Sequence, residues 1–139
     1  MNIALMAHTN RRELLVQFCI AYRGILSQHQ LCATALTGRA ISEETGLDIY
    51  TFISSEQGGY EQICARVACD EIDLVIFFRA PSELENDGNV EKIGRLCDMN
   101  SIPMATNLAT AEVLIQGLQR GDFAWRDLVN PKRNGQISH

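Results

Sequence analysis

A chain of 139 residues, 46% hydrophobic and 21% charged, can bury one sizeable core, so the expectation is a single domain over residues 1–130 with a flexible tail over 131–139. A formal net charge of −5, with no basic run or interleaved aromatic stripe, excludes the usual signature of a nucleic-acid partner. No apolar stretch approaches the ~18–20 residues that span a bilayer, and Met1–Ala7 is too short for the apolar part of a signal peptide; a cytoplasmic protein without a membrane partner is expected.

In chain order, Ile3–Ala7 predicts a buried strand. Leu14, Leu15, Phe18, Cys19, Tyr22, Ile25 and Leu26 recur at helical spacing and predict a helix from Asn10 to Gln28, which Thr9 or Asn10 can cap. Gln30–Leu36 predicts a second strand, Ala40–Thr45 a short helix stopped by Gly46, and Ile49–Ile53 a third strand. Gly58-Gly59 opens a helix to about Cys69. Ile72–Phe78 is an almost unbroken apolar run, the pattern of a parallel strand buried on both faces. A polar loop from Arg79 to Gly88 follows, then a helix from Val90 to Met99, a short strand Ile102–Ala105, and a helix from Asn107 to Gln119 with Asn107 as its N-cap. Alternating strands and helices predict a doubly wound α/β domain, a three-layer sandwich with a mostly parallel central sheet.

Cys19, Cys32, Cys64, Cys69 and Cys97 are odd in number and never spaced as C-x-x-C, so they are expected to be buried free thiols rather than a disulfide framework or zinc site. No metal and no cofactor are expected. His29 and His139 have no supporting context and are expected at the surface.

Four segments end a short apolar run in small polar residues: Ile3–His8, Ala33–Gly38, Ser54–Gly59 and Ala105–Ala111. In a parallel α/β sheet these are strand C-termini, where helix N-termini and backbone N–H groups gather and bind anions. Their order and spacing, together with Ile72–Pro81, resemble the methylglyoxal synthase family over nearly the whole chain, from Asn2 to about Gln116. That resemblance implies a site for a phosphorylated small molecule or inorganic phosphate. The family's phosphate-holding positions correspond to Arg12, Thr34, Thr37 and Ser54, with Ser55 where the family has a glycine. The set is chemically coherent by itself, since hydroxyls donate to phosphate oxygens and a guanidinium can bind two at once. For each residue taken singly, helix or turn capping is the competing reading.

The family's chemistry requires a base beside a ketone and an acid on its oxygen. The resemblance puts His8 at a retained catalytic position, and Tyr60, Asn86 and Asn89 at positions where the family carries its base, its electrophilic histidine and a supporting acid. Thr9 and Ala80 also replace acids, and Asp87 is kept. An unperturbed phenol, with a pKa of about 10, is a poor base at neutral pH. Glu56 is the carboxylate best placed to substitute, whereas Glu61 is turned about 100° from Tyr60 along a helix. Without a carboxylate partner, His8 is expected to bond a loop carbonyl.

Three functions are therefore open. The first expectation is a protein that binds a phosphorylated metabolite without lyase activity. The second is an active methylglyoxal synthase with a rebuilt site, eliminating phosphate from dihydroxyacetone phosphate. The third is an interaction subunit with a vestigial pocket. The resemblance further implies a homo-oligomer of six chains, and a C-terminal arginine near the phosphate, with Arg120, Arg126 and Arg133 as candidates. Phe123 and Trp125 belong either to the core or to a subunit interface.

Overall fold

The computed structural model describes residues 1–81 and 88–129. Five strands form one all-parallel sheet in the order β3-β2-β1-β4-β5. They are β1 (Asn2–Ala7), β2 (Gln30–Ala33), β3 (Ile49–Thr51), β4 (Leu74–Phe78) and β5 (Met104–Ala105). The helices are α1 (Arg12–Ala21), α2 (Arg23–Leu26), α3 (Ala35–Thr45), α4 (Gly59–Ala68), α5 (Asn89–Asn100), α6 (Leu108–Arg120) and α7 (Trp125–Val129). Short 3-10 helices precede α1 at Thr9–Arg11 and α4 at Ser55–Gln57.

Side-chain alternation along the central strands builds two cores. Ile3, Leu5, Ala7, Leu74, Ile76 and Phe78 face α1, α3 and α6 on one side. Ala4, Met6, Val75 and Phe77 face α4 and α5 on the other. Every residue of β4 is buried, as its continuous apolar run predicted. The helices follow their apolar spacing: Tyr60, Ile63, Cys64 and Val67 form the buried stripe of α4, and Val90, Ile93 and Cys97 that of α5.

The structure corrects several boundaries. Strand β2 stops at Ala33, and α3 starts at Ala35 rather than Ala40. Thr37 and Gly38 are weak helix formers, which hid this start, but a side chain at Gly38 would meet Thr51 Cγ2 at 2.5 Å, so packing of α3 on β3 requires glycine there. The long helix expected from Asn10 to Gln28 breaks at Tyr22, whose hydroxyl donates to Glu112 of α6 at 2.7 Å. Asn107 caps α6 as expected, its side chain accepting from the Thr110 N–H at 3.0 Å. Helix α7 was not anticipated. Phe123 belongs to the core, whereas Trp125 is exposed. Of the cysteines, Cys19, Cys64 and Cys97 are buried and Cys32 is half-buried, but Cys69 is exposed. His29 is half-buried rather than fully at the surface. No helix among the described residues is long and apolar enough to cross a membrane. The tail 131–139, with Arg133 and His139, lies outside the described residues.

Candidate functional site

The chain winds from β1 through β2 to β3 in one direction, then places β4 on the other side of β1 and continues to β5. The C-termini of β1 and β4 therefore flank the crevice where such sheets bind ligands. Ala7 and Phe78 pair across it, and the next residue, His8, donates its backbone N–H to the Phe78 carbonyl at 3.1 Å.

The His8 side chain is buried, and its Nδ1 accepts from the Ala80 backbone N–H at 2.8 Å. An amide N–H can only donate, so Nδ1 carries the lone pair and the neutral ring bears its proton on Nε2. This reverses the expected polarity, in which His8 would have donated to a carbonyl. The same imidazole rests edge-on against Phe77, with ring centroids 5.2 Å apart.

Tyr60, the second residue of α4, reaches the same place from the neighbouring crossover. Its ring stacks on Phe77 at 5.5 Å, and its hydroxyl lies 3.5 Å from the Ala7 carbonyl. The two preceding glycines make this approach possible. Gly58 has φ +109°, a left-handed conformation that side chains rarely tolerate. A Cβ on Gly59 would sit 2.2 Å from the Ile53 carbonyl and 3.0 Å from Thr34 Cγ2. The start of α4 is thus pressed directly against the end of β2.

The residues expected to hold an anion come from three crossovers. Arg12, the first residue of α1, donates from Nε to Thr37 Oγ1 of α3 at 3.3 Å. Thr37 is buried in the first turn of α3, and Thr34 is buried at its N-cap position. Neither Thr34 nor the half-buried Ser54 makes a side-chain capping bond, so capping does not account for either residue. Ser55 is exposed at the start of its 3-10 turn. Helices α3 and α4 both begin here; the N–H groups of a first helical turn have no acceptor within the helix and lend the site positive potential.

The remaining sequence candidates divide. Asn89 is the half-buried first residue of α5. Asn86 and Asp87 lie outside the described residues. Glu56 is exposed on the turn after β3; the Glu61 carboxylate lies 3.4 Å from the position a Gly58 side chain would take. Arg126 does not serve the site. It is buried among Asp70, Asp73 and the Ser101 carbonyl, beside the residues that lead into β4 and β5, at the opposite edge of the sheet. Arg120 pairs with Asp122 at 2.9 Å, just beyond the end of α6. Sequence reasoning missed the bond between His8 and the Ala80 amide. The two residues are 72 positions apart, and any residue other than proline would supply that amide.

A five-stranded parallel sheet with helices on both faces, and with hydroxyls, a guanidinium and two helix N-termini after β1, β2 and β3, defines a domain of the doubly wound α/β class. Comparison with known proteins specifies it further. A family model described as the MGS-like domain matches residues 15–106. The chain is 52% identical over 133 residues to a methylglyoxal synthase of Caldicellulosiruptor saccharolyticus, covering 95% of this chain and 94% of that protein. It is 48% identical over 139 residues to a methylglyoxal synthase of a Geobacillus species, covering 99% of each. The crystal structure of methylglyoxal synthase from Elizabethkingia anophelis NUHP1 superposes with a TM-score of 0.77 at 36% identity, covering 82% of this chain and 76% of that one. The chain belongs to the methylglyoxal synthase-like family.

Proposed function

We propose that this protein is a carbon–oxygen lyase acting on dihydroxyacetone phosphate, with the phosphate held by Arg12, Thr34, Thr37, Ser54 and Ser55. Relatives named methylglyoxal synthase, at about half identity over nearly the full chain, favour enzyme over the catalytically silent binding protein expected from sequence. The geometric observation that supports the reading is that His8, just after β1, and the Arg12–Thr37 contact between α1 and α3 lie at the same C-terminal edge of the sheet. A base removes a proton from the carbon beside the ketone, and the electron pair forms an enediolate whose oxygen accepts a hydrogen bond from the site. The enediolate then expels the phosphate by breaking its carbon–oxygen bond, and the enol left behind tautomerises to methylglyoxal. Glu56 is the first candidate for the base, on the turn between β3 and α4.

A second reading, ligand binding without turnover, is favoured by Tyr60, which brings a buried ring to the position of the family's base. Glu56→Gln separates the two. In the lyase reading it abolishes methylglyoxal formation while phosphate still raises the melting temperature. If the unaltered protein shows that thermal protection with no turnover at any enzyme concentration, the binding reading replaces the lyase.

A further inference from the structure

We infer that the groove at the N-terminal ends of β2 and β3 is a second small-molecule site, which takes a free amino acid with an apolar side chain by gripping both of its charges. The groove lies at the sheet edge opposite the strand C-termini, between α2 and the turn that joins α3 to β3, and holds a cavity of about 560 Å³. That volume is typical of small-molecule pockets. Its floor is apolar: Leu26, Leu31 and Leu47 line it, and all three are buried. Tyr50 of β3 also lines it. Its ring rests edge-on against Phe52 at 5.0 Å yet the residue stays 61% exposed, which leaves aromatic surface for an apolar ligand to cover.

Two charges of opposite sign border this floor, Arg23 from α2 and Asp48 from the turn before β3. The guanidinium is fixed from behind, its Nε donating to the Thr45 carbonyl at the end of α3. Gly46 then stops α3 at φ +72° and puts no side chain over the guanidinium, whose Nη2 lies 3.9 Å from where a Cβ there would stand. Among the described residues, the terminal nitrogens of Arg23 and the carboxylate of Asp48 pair neither with each other nor with another side chain. Burial, aided by the chain's amino terminus, lowers the pKa of His29, which also lines the cavity, so that ring is uncharged at neutral pH. The lining therefore offers one cation and one anion beside an apolar surface. A simple anion would meet Asp48, and a simple cation would meet Arg23. A zwitterion satisfies both: its carboxylate takes the guanidinium fork, its ammonium takes the Asp48 carboxylate, and its side chain covers the leucines. This groove shares no residue with the phosphate site proposed above.

Isothermal titration of the full chain with three probes tests the site: L-phenylalanine; 3-phenylpropanoate, which lacks the ammonium group; and 2-phenylethylamine, which lacks the carboxylate. L-phenylalanine is expected to bind, and each analogue to bind at least tenfold more weakly, the scale of one hydrogen bond between charged groups. Asp48→Asn removes an exposed charge that pairs with no side chain among the described residues, so the fold should tolerate it. In that variant the affinity for L-phenylalanine should drop to that of 3-phenylpropanoate. Amide NMR locates the ligand: L-phenylalanine should shift Leu47, Asp48 and Tyr50 and leave Thr37 and Gly38 in place. No binding at millimolar L-phenylalanine, equal affinity for the three probes, or unchanged affinity in Asp48→Asn would each overturn the site. Shifts at Thr37 and Gly38 instead would put the ligand at the other edge of the sheet and overturn it as well.

Discussion

The proposed anion site rests on single side chains. Thr37 is buried and accepts a guanidinium N–H from Arg12, so each helps fix the other's orientation. Thr37→Ala and Arg12→Ala should each weaken phosphate binding by about 1–3 kcal/mol, the range for hydrogen bonds to a charged ligand. Calorimetric titration with phosphate checks this, and unchanged affinity in both would remove these residues from the site. The position of Thr34, Thr37 and Ser54 just beyond strand ends was legible in the sequence, because each apolar run there stops in small polar residues. The partner of His8 was not legible, because a backbone amide leaves no residue-type signal. The thiols give a second residue-scale prediction. Burial pushes Cys19 up to about 12, does most to bring Cys97 to about 12 despite nearby Arg126, and brings Cys32 to about 11. Their neutral form is favoured in the fold, so this contribution to stability is intact below the unfolded thiol pKa of about 8.5 and is lost as pH rises toward the folded values. Denaturation at pH 7 and pH 10 should show lower stability at the higher pH. Exposed Cys69 should react with a maleimide before the other four do.

Elements succeed or fail as a unit at two junctions. The start of α4 depends on Gly58-Gly59, and the 2.2 Å approach to the Ile53 carbonyl leaves no room for a methyl group at Gly59. Gly59→Ala should force the backbone apart, destabilise the protein by about 1–3 kcal/mol as overpacking does, and weaken phosphate binding through the displaced Thr34. Chemical denaturation and titration on the same sample test both effects; a stable variant with full affinity would contradict this junction. Most elements could be read from periodicity: β4 from its unbroken apolar run, α4 and α5 from their stripes, and α6 from its Asn107 cap. The start of α3 escaped because Thr37 and Gly38 are poor helix formers locally, while tertiary contact with β3 overrides that preference. Helix α7 escaped because, at five residues, it is too short to show a period.

At the scale of the molecule, the site edge and the opposite edge have different tasks. Arg126 gathers Asp70, Asp73 and the Ser101 carbonyl, joining α7 to the turns before β4 and β5. Asp70 and Ser101 are the non-glycine residues with positive φ among those described, so the arginine holds both turns in conformations that cost energy by themselves. Arg126→Met should destabilise by about 3–5 kcal/mol, because it leaves buried carboxylates without their cation. Phosphate affinity of the folded variant should not change, since the network lies away from the strand C-termini; a large affinity loss in folded protein would contradict this division. The most direct test of the whole account is methylglyoxal formation from dihydroxyacetone phosphate by the purified chain. The account predicts methylglyoxal and inorganic phosphate released in equal amounts, at a rate that falls with Thr37→Ala. Absence of both products at saturating substrate and high enzyme concentration would contradict it.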